Sequence, residues 1–116
     1  MTPTIVLKDN KVQIVSGAPG GSRIPTAVLQ VIVNVLDFKE SIADAVASPR
    51  VHHQWLPDQV VVERSLPPDA MRGLETRGHS VRVGQSSGAA HSIAAEGAGF
   101  EGAADGRSRG ALAAGP

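Results

Sequence analysis

The chain has 116 residues, one domain by length, and can bury roughly two-thirds of its unfolded surface. Its 11 basic and 11 acidic residues cancel, which excludes the basic footprint of a nucleic-acid binder and an acidic tail. Cysteine is absent, so disulfides, thiol nucleophiles and thiolate metal sites are excluded, and with two Phe, one Trp and no Tyr large core-filling side chains are scarce.

Thr4-Ile5-Val6-Leu7 and Val12-Gln13-Ile14-Val15 are β-rich runs flanking a turn at Lys8-Asp9-Asn10-Lys11, and together they predict a β-hairpin. Both runs are largely apolar, which predicts cover on both faces, as in a layered fold. A glycine-rich turn follows, Val15-Ser16-Gly17-Ala18-Pro19-Gly20-Gly21-Ser22-Arg23-Ile24, and Ser22 is the expected N-cap of the next helix. Pro25 sits in that helix's first turn, where a missing N–H costs little. Ile24, Ala27, Val28, Val31, Ile32 and Val35 recur at spacings of three and four, a helical stripe. Leu29, Val33 and Leu36 widen it, so burial on more than one side is expected. The run is too short to span a bilayer. The first residues lack the basic-then-apolar pattern of a secretory leader. The expectation is a soluble chain carrying no export signal.

Ser41-Ile42-Ala43-Asp44 predicts a capping box opening a short helix through Ala47, which Pro49 ends. Val51 to Trp55 reads as a short extended piece, and Val60 to Glu63 as a strand. Pro67 and Pro68 lead a helix through Arg77, with Met71 and Leu74 inward and Gly78 as its stop. Asp69, Arg72, Glu75 and Arg77 form its solvated face. His79 to Val83 returns as a strand. From Gly84 the composition shifts to Gly, Ala and Ser, which divides the chain into a core segment, residues 1–83, and a C-terminal hairpin and tail, residues 84–116. Ala90 to Ala95 and Phe100 to Ala104 predict that hairpin, across Glu96-Gly97-Ala98-Gly99. After Asp105 the chain has few anchoring residues and is expected to fray.

Backbone N–H groups at a strand-to-helix glycine turn can face a negative oxygen, because no side chain blocks them. On the residues alone, a plain tight turn remains the alternative. A phosphate loop is excluded, since Gly21-Ser22-Arg23 lacks the lysine that such loops need. His52 and His53 are adjacent on an extended piece and point to opposite faces, so they cannot chelate one metal. A structural role around Trp55 is expected for them. Ser86-Ser87-Gly88 lacks the nucleophile-elbow pattern and reads as a flexible loop.

PGGSRI, then TAVLQVIVNVLDF, then SIADAVASPRVHHQWLPD closely resemble the C-terminal part of the small subunit of γ-glutamyltranspeptidase, an N-terminal-nucleophile hydrolase family. The resemblance runs from about Thr4 to Val83, with a weaker echo to Arg107, where Asp105-Gly106-Arg107 resembles the family's Asp-Pro-Arg. It implies an α+β chain forming part of a stacked α/β/β/α hydrolase fold, incomplete by itself. It implies threonine-nucleophile γ-glutamyl transfer or hydrolysis, with glutathione or another γ-glutamyl donor and an amino acid, peptide or water as acceptor. Gly20 and Gly21 match the paired glycines whose backbone lines the oxyanion hole, so they are the expected catalytic and substrate-binding residues. Thr2 is not the expected nucleophile. In the family that threonine lies far upstream of the glycine turn and precedes Thr-His, whereas Thr2 precedes Pro3. The resemblance thus implies partner segments upstream, from the large and small subunits, and no cofactor, metal, nucleic acid or membrane. The family is typically periplasmic or extracellular. The alternative expectation is a non-catalytic fragment, or a small interaction module needing a partner chain.

Overall fold

The structure, a computed structural model, describes residues 3–85 and 88–115. In chain order it runs β1 (Thr4–Lys8), β2 (Lys11–Gly17), a 3-10 turn (Gly21–Arg23), α1 (Ile24–Leu36), α2 (Ile42–Ala47), β3 (Val51–His52), β4 (Val60–Glu63), α3 (Pro68–Thr76), β5 (Val81–Gly84), β6 (His91–Glu96) and β7 (Gly99–Ala103). The first hairpin is set by its turn. Asp9 and Asn10 take φ of 51° and 58° between the paired Lys8 and Lys11. Two consecutive positive φ values match the twist of the flanking strands, and Asp and Asn tolerate them best. Gly97, at φ 55°, closes the second hairpin in the same region of backbone space.

The two hairpins join edge to edge, because β2 pairs antiparallel with β6, giving a sheet of order β1-β2-β6-β7. The composition shift at Gly84 is therefore no break in the sheet. A second sheet, β3-β4-β5, has β4 at its centre, and Val60, Val61 and Val62 are buried there. β4 and β5 run parallel, which requires a crossover, and α3 supplies it. Met71 and Leu74 are half-buried under α3, while Asp69, Arg72, Glu75 and Arg77 are exposed as its pattern predicts. β5 begins at Val81, two residues after the expected His79.

One face of the larger sheet carries the core. Ile14 and Ala94 pack there against Ala27, Val28 and Val31 of α1 and Ile42, Ala45 and Val46 of α2. Ser16 and Ser92, buried on neighbouring strands, bond each other at 2.8 Å. α2 opens as its sequence predicts. The Ser41 hydroxyl accepts the Asp44 N–H at 3.1 Å and donates to the Asp44 carboxylate at 2.7 Å. Such a cap is worth about 1 kcal/mol. Ser48 is extended, at ψ 143°, because Pro49 excludes the helical region.

Three expectations need correction. The described residues cover only one face of the larger sheet: Ile5 is 61% exposed and Phe100 67%, on the side away from the helices. α1 buries a single stripe, since Leu29 and Leu36 are exposed. The apolar pattern is broad, but α1 and α2 form the only helical layer that the described residues place on this sheet. Ser22 does not cap α1. A 3-10 turn intervenes, Arg23 takes the cap position, and the Ser22 hydroxyl goes to Gln54 instead. Among the described residues no helix is long and apolar enough to cross a membrane.

The open face has a measurable consequence. Ile5, Ile93 and Phe100 leave apolar surface and a strand edge uncovered, and such surfaces associate. The purified chain is expected to elute as assemblies larger than a monomer in size-exclusion chromatography with light scattering. A sharp monomer with a cooperative thermal transition would show that the core suffices without further cover.

Candidate functional site

β2 ends at Gly17, Ala18 is fully buried, and the chain then emerges at Pro19. Gly20 and Gly21 are exposed and hold φ of 138° and 58°. Both values favour glycine, the first more strongly. Among the described residues nothing accepts the N–H of either glycine. The Gly20 carbonyl is used: it accepts the Arg23 N–H at 3.1 Å, which closes the 3-10 turn. Two adjacent backbone donors therefore stand at the surface on a turn whose shape is fixed from below. Gly88, at φ 74°, packs against this turn, and a Cβ there would lie 2.7 Å from the Pro19 carbonyl oxygen. Only glycine fits at 88. Sequence reading missed that role, because a glycine beside Ser86 and Ser87 looks like loop. Ser86 and Ser87 themselves lie outside the described residues, as does Thr2.

A second set of contacts fixes the start of α1. The Gln30 side chain bonds both the N–H and the carbonyl of Val51, at 2.9 and 2.8 Å, and so pins β3 to the helix. The neighbouring His52 is buried, with Nδ1 2.8 Å from the Thr26 hydroxyl and Nε2 3.2 Å from Gln54 Oε1. His53 points the other way, as alternation requires, and reaches the Asp58 carboxylate at 3.1 Å. Of the packing and backbone hydrogen bonding expected around Trp55, the hydrogen bond is present: the Trp55 N–H donates to His53 Nδ1 at 3.0 Å, while Trp55 itself is 77% exposed, with φ of 72°. Among the described residues no cluster of three His, Cys, Asp or Glu can hold a metal ion.

The third set is a buried ionic cluster. Arg50, 1% exposed, meets the fully buried Asp105 at 2.8 Å. Arg107 grips Glu63 with two parallel bonds, Nε at 2.8 Å and Nη2 at 2.6 Å, and touches Asp105 at 3.1 Å. Two cations and two anions cancel. The leftover donors cap α2: Arg50 and Arg107 both donate to the Val46 carbonyl at 2.8 Å, and Arg107 reaches Ser48 O at 2.9 Å. Arg50 also donates to Gly88 O at 3.1 Å, so the cluster braces the residue that braces the glycine turn. Burial pulls the Arg50 guanidinium below its ordinary range, although Asp105 opposes this. For Asp105 burial pushes upward, but the Arg107 amide, Arg50 and the Ala90 amide outweigh it, and the carboxyl sits below the usual range. The fork on Glu63 holds Arg107 above its usual value, against its own burial.

The fraying expected after Asp105 is corrected as far as Arg107, which ties the chain to β4 and α2 because one bidentate arginine outweighs a run of small residues; further on, Leu112 is 91% exposed. Arg50 carried no sequence signal of its own, and Glu63 none beyond a charge after the apolar run Val60-Val61-Val62.

The γ-glutamyltranspeptidase family profile matches residues 1–115. The chain belongs to that family. The glutathione hydrolase proenzyme of Escherichia coli (strain K12) is 48% identical over 93 residues, covering 80% of this chain and 16% of the relative. Its counterpart in Pseudomonas aeruginosa is 40% identical over 114 residues, covering 95% of this chain and 20% of the relative. The crystal structure of Helicobacter pylori γ-glutamyltranspeptidase, a threonine-to-alanine variant, superposes with a TM-score of 0.86 at 44% identity, covering 93% of this chain and 61% of that one. The chain therefore spans a minor part of its curated relatives and about three-fifths of the crystallised chain. The family is one of γ-glutamyl transfer and hydrolysis, and the α+β architecture is shared with its solved member.

Proposed function

We propose that this chain supplies the oxyanion-stabilising backbone of a γ-glutamyltransferase or glutathione hydrolase. The observation that carries the reading is the pair of exposed glycines, Gly20 and Gly21, whose N–H groups nothing among the described residues accepts. Attack on a γ-glutamyl amide turns its carbonyl oxygen into an anion. Donors fixed in advance at that oxygen stabilise the transition state without reorganising. The donor is glutathione or another γ-glutamyl compound, and an amino acid, peptide or water receives the group. No metal or cofactor takes part.

The threonine nucleophile comes from family segments outside these 116 residues, and so does the second layer of a stacked α/β/β/α hydrolase fold. The open face at Ile5, Ile93 and Phe100 favours this, since it is apolar and matches a layer interface. The chain then acts where its family acts, in the periplasm or outside the cell.

The test is release of a chromogenic amine from a γ-glutamyl anilide. The purified 116-residue chain is expected to release none, while the same segment joined to the remaining family segments turns over. Turnover by the chain alone would place the nucleophile within it and overturn this division of labour.

A further inference from the structure

His52 is buried to 4% exposure, yet it lies apart from the ionic cluster and carries no assigned task. Its two ring nitrogens lead to Ser22 and Arg23, the last two residues of the 3-10 turn that begins at Gly21. From Nε2 the path runs to Gln54 Oε1 at 3.2 Å and on to the Ser22 hydroxyl at 2.8 Å. From Nδ1 it runs to the Thr26 hydroxyl at 2.8 Å, which also lies 3.0 Å from the Arg23 carbonyl. Ser22 is the residue directly after Gly21. The Gln54 amide has a defined sense, because its Nε2 faces the Leu56 carbonyl at 3.4 Å. Oε1 then accepts from the Ser22 hydroxyl and faces His52 Nε2, while the Thr26 hydroxyl donates to the Arg23 carbonyl and faces Nδ1. Ser22 and Gln54 are exposed and water competes for them, so a link between them persists only if something rigid holds it. His52 is that rigid point: it sits on β3, paired with Val61, and the preceding residue, Val51, is pinned to α1 by Gln30.

We propose that His52 is a positioning residue for the glycine turn: acting through Gln54 and Ser22 on one side and Thr26 and Arg23 on the other, it sets the direction in which the Gly20 and Gly21 N–H groups point. The inference rests on the oxyanion reading of that turn. A donor pair must sit about 3 Å from an oxygen that appears only during the reaction, and small tilts of the peptide planes remove that fit. The relay explains two features left over from the fold. Ser22 does not cap α1 because its hydroxyl is committed to Gln54. Gln54 stands beside a positive-φ Trp55, a backbone shape that costs energy and persists only where its surroundings impose it.

The experiment uses Gln54→Ala and His52→Gln, each read in two ways. The first change is on the surface, so folding is retained even if the second variant proves unstable. Glutamine at 52 offers a donor near the Nε2 position and loses the Thr26 link. In the 116-residue chain, 1H–15N spectra report the Gly20 and Gly21 amides. In the segment joined to the remaining family segments, γ-glutamyl anilide kinetics report kcat and KM separately. Expected for Gln54→Ala are shifted Gly20 and Gly21 resonances and a kcat lowered about tenfold, with KM nearly unchanged. His52→Gln is expected to fall between wild type and Gln54→Ala. Unmoved glycine resonances in Gln54→Ala overturn the positioning role. Moved resonances with wild-type kcat overturn the catalytic part, and locate the fault in the oxyanion reading rather than in the relay.

Discussion

Asp105→Ala is expected to lower the stability of the chain by about 3–5 kcal/mol, most of what a small domain has. The side chain is fully buried and lies 2.8 Å from Arg50, itself 1% exposed. Removing it strands a guanidinium that cannot lose its proton and cannot reach water. It also removes the acceptor for the Ala90 N–H at 2.7 Å and for the Arg107 N–H at 2.9 Å, leaving two further donors short. Urea unfolding at neutral pH reads the loss, and a change within about 1 kcal/mol would show that the cluster is incidental. The pH dependence has a definite sign. The folded carboxyl titrates below its ordinary value, so its contribution is complete above the unfolded pKa of about 3.9 and is lost as pH falls through the lower folded value. The wild type is thus expected to weaken steeply below about pH 4, and Asp105→Asn to flatten that limb.

The strands and helices were legible where local chemistry decides them. Asp9-Asn10 demands a two-residue hairpin, Ser41 with Asp44 demands a cap, and Gly97 demands a turn. Hydrophobic pattern located the stripe of α1 but overstated its width. Leu29 and Leu36 are apolar for a reason that the described residues do not contain, and no pattern says which neighbour covers a face. The same ambiguity made the first hairpin look covered on both sides.

The candidate site was legible only in its glycines. Gly20 and Gly21 stand out because their spacing against the following helix is local. Gly88 and Arg50 do not, since their meaning is a contact 38 residues apart in sequence. Gln30 is the sharper case. In the sequence it interrupts an apolar run; in the fold it satisfies both backbone groups of Val51 and so seats His52. A polar residue inside an apolar helix stripe is a signal that something must be bonded there, though it does not say what.

Removing the Gly21 N–H is expected to cut the acylation rate about a hundredfold or more, a loss of roughly 3 kcal/mol of transition-state stabilisation. Proline is a poor tool for this, because φ is 58° at Gly21 and proline holds φ near −65°. An amide-to-ester replacement, glycolate for Gly21 by ligation, deletes the N–H and leaves φ free. It also weakens the Gly20 carbonyl, which accepts from Arg23, so stability must be followed in parallel. Gly21→Ala is the complementary change. Its added Cβ meets nothing within 4 Å, so the steric cost is confined to the backbone, about 1–2 kcal/mol for an L-residue at positive φ. The alanine variant keeps the N–H and should lose stability while largely keeping its rate; the ester should do the reverse. KM for the γ-glutamyl donor is expected to change little with the ester, because the bond forms fully only when the oxygen carries charge. The measurement is the burst of amine from a γ-glutamyl anilide, made on the segment joined to the remaining family segments. An ester variant that acylates within about threefold of wild type would be far short of the loss seen when an oxyanion donor is removed, and Gly21 would then be a turn residue only.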